Sequence, residues 1–425
     1  MKVYCHWASI ILFFIFISCK NTEKVVEKSG YQGQGPTPLV STTTKPVQKQ
    51  WKGVWAFQDS TVFFSNQFDG ARLNGVAHDS LNHYTLWITA ENTPINPSPW
   101  YGFKVWSKTP HEIKVNFTYQ GSRNRYYPKI SSDGIHFKTL DSTRFRSINP
   151  GEGEFGIKAA PEGMEISVQI GEKPIWITAQ ELYTSTRVQQ WMDSLSQKTF
   201  ITNYKIGKSR EGRQINAMDI DEGNSKKALV VITRQHPPEV TGFLAFKSFM
   251  ETLTGNSEQA TKFRKKFVIF SVPTVNPDGV DNGHWRHNAG GIDLNRDWQD
   301  FNQPETRAVR DFLKSKSKEG YEFVFGTDFH STWDDIYYPL DTTVTGSKGK
   351  IVFDWIGHIE DRLQKKANVS ASKKLYPTMT SRNHFFAAYE MPSIVFELGD
   401  NTPRPFLKEK GKVAAEELMK LLLMQ

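Results

Sequence analysis

Four short apolar runs, each tied to a polar or ionisable cluster, constrain this chain more than any other feature. They are 228–233, 266–272, 321–326 and 393–398, and segments with helical apolar spacing (243–253, 305–313 and 413–423) lie between and after them. Near-continuous apolar strands are covered on both faces, and their alternation with helices is the signature of an open, mainly parallel or mixed α/β sheet flanked by helices. His236 and Glu239 follow the first run, Asn276-Pro277-Asp278-Gly279 the second and His330 the third, and Glu397 stands at the end of the fourth. Ligands of such sheets bind beyond the carboxyl ends of the strands, so these groups converge on one site.

The chain ahead of this region reads differently. With 425 residues there is room for two domains. From Trp51 to about Ile177 apolar and polar residues alternate, as in Ile113, Val115, Phe117 and Tyr119 or Met164, Ile166, Val168 and Ile170. Seven or eight short strands with turn signals between them predict an antiparallel β-sandwich over 51–182. Its many aromatics suit a sandwich core, and nothing in it forms a catalytic cluster. A catalytic domain over 183–425 follows.

The first fifty residues read as an address. Trp7 to Ile17 is almost continuously apolar, too short to cross a hydrocarbon layer of roughly 30 Å but suited to a signal peptide. It ends in Phe16-Ile17-Ser18-Cys19, which resembles a bacterial lipobox with Cys19 acylated. The expectation is a lipoprotein signal peptide over 1–18 and a membrane-anchored protein of the bacterial cell envelope. Residues 19–50 are rich in Lys, Thr, Pro, Gly and Gln and poor in large apolar residues, which predicts a flexible tether. Both cysteines, Cys5 and Cys19, lie in the address, so no disulfide is expected in the body. The formal charge of +8 comes from basic residues scattered along the chain, so no nucleic-acid partner is expected.

The chemistry offered by the strand-end residues is metal-assisted hydrolysis. Arg234-Gln235-His236-Pro237-Pro238-Glu239 places an imidazole and a carboxylate three residues apart. The two prolines remove backbone donors and fix φ, making a rigid turn and excluding a helical His-Glu-x-x-His site. His330 offers a third ligand, and two His plus one Glu with a fourth position left for water is a catalytic zinc arrangement.

The ordered set of His236-x-x-Glu239, Asn276-Pro-Asp-Gly279, Trp285-Arg286, Asp293-Leu-Asn295-Arg296-Asp-Trp298, His330-Ser331 and Phe396-Glu397-Leu398 resembles the zinc carboxypeptidases of the M14 family. Gly207-x-Ser209-x-Glu211-Gly212-Arg213 is similar to that family's opening segment, and the N-terminal sandwich is most similar to the cytosolic-carboxypeptidase branch and its bacterial relatives. The resemblance spans roughly Tyr183 to Gln425. It implies one zinc ion held by His236, Glu239 and His330, and Glu397 as the general base that takes a proton from the attacking water and passes it to the leaving amine. It further implies that Arg286 stabilises the developing oxyanion, that Asn295 and Arg296 hold the terminal carboxylate of the substrate, and that Arg213 lines a neighbouring subsite.

Two positions are less regular. The tyrosine that the family carries on a mobile loop falls at Leu375, with Tyr376 adjacent. A one-residue gap makes Tyr376 the match, and packing is the alternative. By the same resemblance Arg382 falls at the position that in the family lies at the bottom of the pocket for the leaving side chain, which implies a preference for C-terminal Glu or Asp; a one-residue shift would instead turn it to solvent. The expected partners are therefore peptide or protein C-termini. Muropeptides are a second substrate class, since an envelope protein would meet them. A non-catalytic surface binding lipoprotein is a third reading, disfavoured because every ligand and the base are present.

Overall fold

The computed structural model describes residues 31, 33, 39–58, 61–96, 98–375 and 380–425. The signal segment, Cys19 and Tyr376 lie outside the described residues.

The alternating region forms two facing sheets. One has six strands (Val54–Phe57, Val62–Ser65, Gly102–Ser107, Ile175–Thr178, Lys129–Ser131 and Lys138–Thr139), and the other has five (Gly75–Ser80, His83–Thr89, His111–Gln120, Gly163–Ile170 and Phe145–Ile148). The period of two works as expected: Tyr84, Leu86 and Ile88, then Ile113, Val115 and Phe117, then Met164, Ile166 and Val168, all point inward against Phe64, Phe103 and Val105. The strand count exceeds the seven or eight expected, because short pieces such as Lys138–Thr139 carry no apolar alternation. The pairing is antiparallel except between His83–Thr89 and His111–Gln120, which run parallel.

The second region is an eight-stranded mixed sheet. Its four central strands, Val268–Val272, Lys227–Thr233, Glu322–Thr332 and Ser393–Gly399, are mutually parallel, and antiparallel strands flank them on both sides. The apolar runs are buried on both faces, as their composition requires. Leu229 and Val231 pack with Phe243, Phe246 and Leu418 under the helices Val240–Leu253 and Arg404–Leu423, whereas Ala228, Val230 and Ile232 pack with Val309, Phe312 and Phe385 under Pro304–Lys318 and Ser381–Tyr389.

Two sequence expectations change. The third strand runs on to Thr332, so His330 lies inside it and not after it. The stretch expected to be a tether as far as Gln50 is a packed part of the body over 39–50. Thr42 is buried, and its carbonyl and hydroxyl accept from the side-chain amides of Gln303 and Asn302. The Lys45 amide donates to Gly290 O, and the Gln48 amide to Glu91 O. This strand of chain is held by polar bonds and buries little apolar surface, which is why its composition conceals it.

Candidate active site

The turn after Lys227–Thr233 has no intrahelical bonds to constrain it, and the two prolines set its path. Arg234 enters it with φ 57° and Glu239 leaves it as the residue that precedes the helix Val240–Leu253. His236 and Glu239 therefore face back over the sheet edge. Gly242 lies where that helix crosses the next strand: a Cβ there would come within 2.4 Å of the His330 carbonyl oxygen. A larger residue would push the helix, and Glu239 with it, away from His330.

The result is a tight, buried triad. His236 Nδ1 lies 2.7 Å from Glu239 Oε1, His330 Nδ1 lies 2.7 Å from Glu239 Oε2, and the two Nδ1 atoms are 3.1 Å apart. His236 Nε2 faces Asp293 Oδ1 at 2.8 Å. His330 Nε2 faces Asp328 Oδ2 at 2.9 Å, an ion-pair distance although the hydrogen-bond alignment is poor. Carboxylates at Nε2 place the protons there, which turns both Nδ1 lone pairs inward, toward each other and toward the Glu239 carboxylate. Such a set of inward-facing acceptors fits a cation. His236, Glu239 and His330 can together hold a metal ion, and two imidazoles with one carboxylate are a zinc donor set.

Glu397 is placed by register. It is paired directly opposite His330 across the parallel strands Glu322–Thr332 and Ser393–Gly399, so both side chains rise from the same face about one strand spacing apart, near 4.8 Å. Burial raises its carboxyl to about 8, and the neighbouring Glu239 charge pushes the same way.

The arginines form a second tier. Arg286 Nε binds Asp293 Oδ2 at 2.7 Å, so Asp293 ties the guanidinium to the histidine that it orients on its other oxygen. Burial would lower the pKa of Arg286, but Asp293, Glu239 and Glu397 outweigh it and hold the group charged. Asn295 and Arg296 sit in the short helical turn Leu294–Arg296. Asn295 Oδ1 accepts from the Ser381 amide at 2.9 Å, which joins this turn to the helix carrying Arg382. Arg382 is buried and donates to the carbonyls of Tyr338 and Pro339 at 2.8 and 3.2 Å and to Asn383 Oδ1 at 3.0 Å. Among the described residues it has no carboxylate partner, and burial lowers its pKa to about 10. The solvent-facing alternative for Arg382 is thereby removed.

Arg213 is the exception. Its guanidinium is taken up by Asp278 at 2.8 Å, by Asp281 at 3.1 Å and by Glu211. Asp278 also accepts from Ser209 Oγ and from the Glu211 amide. The opening segment and the Asn276-Pro-Asp-Gly motif therefore meet in a structural clasp. Asn276 completes it by capping the helix Pro277–Asn282 and donating to Gln235 O beside His236.

Several residues of the site have no signal of their own in the sequence. Asp328 lies within an apolar strand, yet Gln235, Ser381 and His330 all converge on it. Glu91 and Arg125 come from the sandwich, so that domain does contribute to the site. Arg125 reaches across to Asp400, three residues beyond Glu397, with Nε 2.6 Å from Oδ2 and its guanidinium 4.9 Å above the Trp333 ring. A cleft of about 290 Å³ opens at this junction, lined among others by Arg125, Tyr127, Phe155, Trp333 and Asn401. Alternation could mark Glu91 and Arg125 as strand or turn but not as partners of residues 194 to 275 positions away.

Comparison with known proteins agrees with this geometry. The zinc carboxypeptidase profile (peptidase M14) matches residues 188–412, more than half of the chain. The chain is 30% identical to mouse cytosolic carboxypeptidase 6 over 164 residues, 35% of this chain and 30% of that one. It is 25% identical to mouse cytosolic carboxypeptidase 2 over 277 residues, 57% of this chain and 30% of that one. The matches thus span about a third of the length of these relatives. In fold it is similar to the crystal structure of a metallo-carboxypeptidase from Burkholderia cenocepacia (TM-score 0.70, 18% identity), with 86% of this chain and 99% of that one covered. Since the profile covers His236, Glu239, His330 and Glu397, and since the first three close into a metal-ligand set, the chain belongs to the M14 family of zinc carboxypeptidases.

Proposed function

We propose that the protein is a zinc metallocarboxypeptidase that removes the C-terminal residue of peptides. The observation that carries this reading is the set of inward-turned His236, Glu239 and His330 acceptors with Glu397 directly across from His330. Zinc held by these residues would supply a Lewis acid that makes water a nucleophile near neutral pH and polarises a carbonyl. The chain's own residues then do the rest. Glu397, ionised, takes the proton of the attacking water on a carboxylate oxygen and returns it to the leaving amine. Arg286, fixed and kept charged by Asp293, donates to the oxygen on which charge develops. Asn295 and Arg296 hold the terminal carboxylate, and the planar guanidinium bonds both of its oxygens.

Arg382 supports a preference for acidic C-terminal residues. A guanidinium buried among neutral acceptors gains most from a carboxylate, and a substrate Glu or Asp side chain would bring one. Matched blocked peptides ending in Glu, Lys and Phe test this reading. Glu is expected to be turned over fastest, with kcat/KM reduced at least about tenfold for Glu and little for Phe in Arg382→Ala, in line with a lost charged hydrogen bond of about 1.5–3 kcal/mol. An unchanged ranking removes Arg382 as the selector. Release of terminal residues from muropeptides in the same assay would favour the cell-wall reading.

The lipobox-like ending at Cys19 supports a lipid-anchored protein of the cell envelope. No helix among the described residues is long and apolar enough to cross a membrane. Cys19→Ala is therefore expected to move the protein from the membrane to the soluble fraction or leave it unprocessed, as fractionation would show.

A further inference from the structure

The sandwich places one fully buried acid beneath the loop that carries Arg286. Glu91 follows the strand His83–Thr89 by two residues, and its carboxylate accepts three consecutive backbone amides of the catalytic region: Trp285 on Oε2 at 2.7 Å, and Arg286 and His287 on Oε1 at 2.9 and 2.7 Å. Arg72 lies beside it, with Nη2 3.7 Å away and Nε donating to Gly283 O at 2.9 Å, just ahead of the same loop. Asn92, the next residue, binds the other end: its Nδ2 donates to Gly291 O at 3.0 Å and its Oδ1 meets His287 Nδ1. Trp285 itself is buried in the apolar core of the sandwich.

This is more than domain glue. Three successive N–H groups aimed at one carboxylate fix the backbone of residues 285–287, and hence where the Arg286 side chain begins. Asp293 fixes where that side chain ends. An isolated carboxylate would not be buried at a domain junction without cost, and the three amides and Arg72 are what offset it here. Burial alone would raise the Glu91 carboxyl, whereas His284, Arg72 and His287 bring it below the usual range, so it stays an acceptor on all of its lone pairs.

We infer that Glu91 is a positioning residue for the reaction: through the amides of Trp285, Arg286 and His287 it sets the Arg286 guanidinium for the developing oxyanion, which makes the β-sandwich a working part of the active site. The inference rests on the oxyanion role proposed above for Arg286. It accounts for why the acid, and not a neutral side chain, stands there. In Glu91→Gln one oxygen becomes an NH₂ group, a donor facing a backbone donor, and at least one of the three bonds is lost while size and burial are kept.

The test is a double-variant cycle on the full chain, with Glu91→Gln, Arg286→Ala and the two combined. The substrate is a blocked peptide ending in the residue that the panel above ranks first. Arg286→Ala is expected to lower kcat by about 100-fold or more, as loss of an oxyanion donor does. Glu91→Gln is expected to lower kcat by about tenfold with KM changed less than about threefold, and to add less than about threefold in the Arg286→Ala background, because residues acting through one another are not additive. Amide hydrogen exchange supplies a readout independent of turnover: the segment spanning 285–287 should lose protection in Glu91→Gln while the central strand Glu322–Thr332 keeps it. If Arg286→Ala leaves kcat intact, or the wild-type chain cleaves no peptide, the oxyanion reading falls and this inference with it. If Arg286→Ala is impaired but Glu91→Gln is not, or if the two effects multiply, Glu91 is a structural acid only. Loss of protection throughout the chain, with zinc content reduced, would likewise overturn the positioning role in favour of general destabilisation.

Discussion

At the scale of single residues, the centre is a problem in proton placement. Asp293 and Asp328 decide which histidine nitrogens carry protons, and that decision leaves the inner face of His236, Glu239 and His330 without donors. His330→Ala is therefore expected to lose bound zinc, measured by metal analysis, whereas Glu397→Gln should keep the metal and lose about 100-fold or more in kcat, the usual worth of a general base. A zinc-replete, fully active Glu397→Gln protein would sink the mechanism. The pH profile follows from the same residue. Burial first, and then Glu239, raise the Glu397 carboxyl. A divalent cation in the ligand set cancels the push from Glu239 and leaves that of burial. The acid limb of kcat/KM is thus expected above the ordinary carboxylate range and below about 8, with activity falling as pH drops, because only the ionised form accepts a proton. His236, Glu239, His330 and Glu397 were legible in the sequence because each belongs to a local motif at a strand end. Asp328, Glu91 and Arg125 were not, because each acquires its role only from a partner brought up by the fold.

At the scale of elements, the strands were readable from apolar runs, whereas the ties between elements were not. The helix Arg404–Leu423 shows the difference. Its apolar face packs on the sheet, yet it also sends Lys410 into the interior, where Nζ lies 2.7 Å from Asp335 Oδ2, both groups being buried. Asp335 Oδ1 in turn accepts the Gly399 amide, two residues after Glu397. Removing one partner of a buried pair leaves an uncompensated charge, so Lys410→Met is expected to cost about 3–5 kcal/mol at pH 7, read from urea midpoints. The sign with pH can be worked out. In the wild-type chain burial would raise the Asp335 carboxyl, but Lys410 outweighs it and holds the group below its usual value, so its contribution is present at neutral pH and lost as pH falls. In Lys410→Met the same buried carboxyl keeps only the more distant Lys365, whose Nζ lies 3.9 Å from Oδ2, and takes up a proton more readily than in the wild-type chain, so that variant loses less stability as pH falls. The gap between the two should therefore narrow on acidification. Asp335→Asn in the Lys410→Met background should recover most of the loss, and a gap that is constant with pH would rule out the ion pair as its source.

At the scale of the whole molecule, the sequence reads as two regions with a change of rhythm between them, and the family profile covers only the second. The packing says that the second is incomplete alone. Trp285 and Val240, the latter directly after Glu239, belong to the sandwich's apolar core. Arg125 reaches Asp400, Gln180 Nε2 donates to Asp400 O at 3.0 Å, and the 285–287 amides have Glu91 as their acceptor. Residues 39–50 then run across the junction and bond to both sides through Gly290 and Glu91. Cutting the chain at 182 would expose a tryptophan and a valine, strip three buried amides of their acceptor and leave Asp400 without Arg125. Leaving the two apolar side chains in water forgoes about 1.5–3 kcal/mol each and every lost hydrogen bond about 0.5–1.5 kcal/mol more, which together is comparable with the whole stability of a typical domain at about 5–15 kcal/mol. A fragment of residues 183–425 is therefore expected to be aggregated or loosely packed, with strong binding of a hydrophobic dye and loss of near-ultraviolet dichroism. The full chain should instead unfold with coincident transitions by dichroism and tryptophan fluorescence. A soluble 183–425 fragment that bound zinc and hydrolysed peptides at the full-chain rate would show that the sandwich is dispensable, and that the contacts across the junction hold the two regions together without shaping the site.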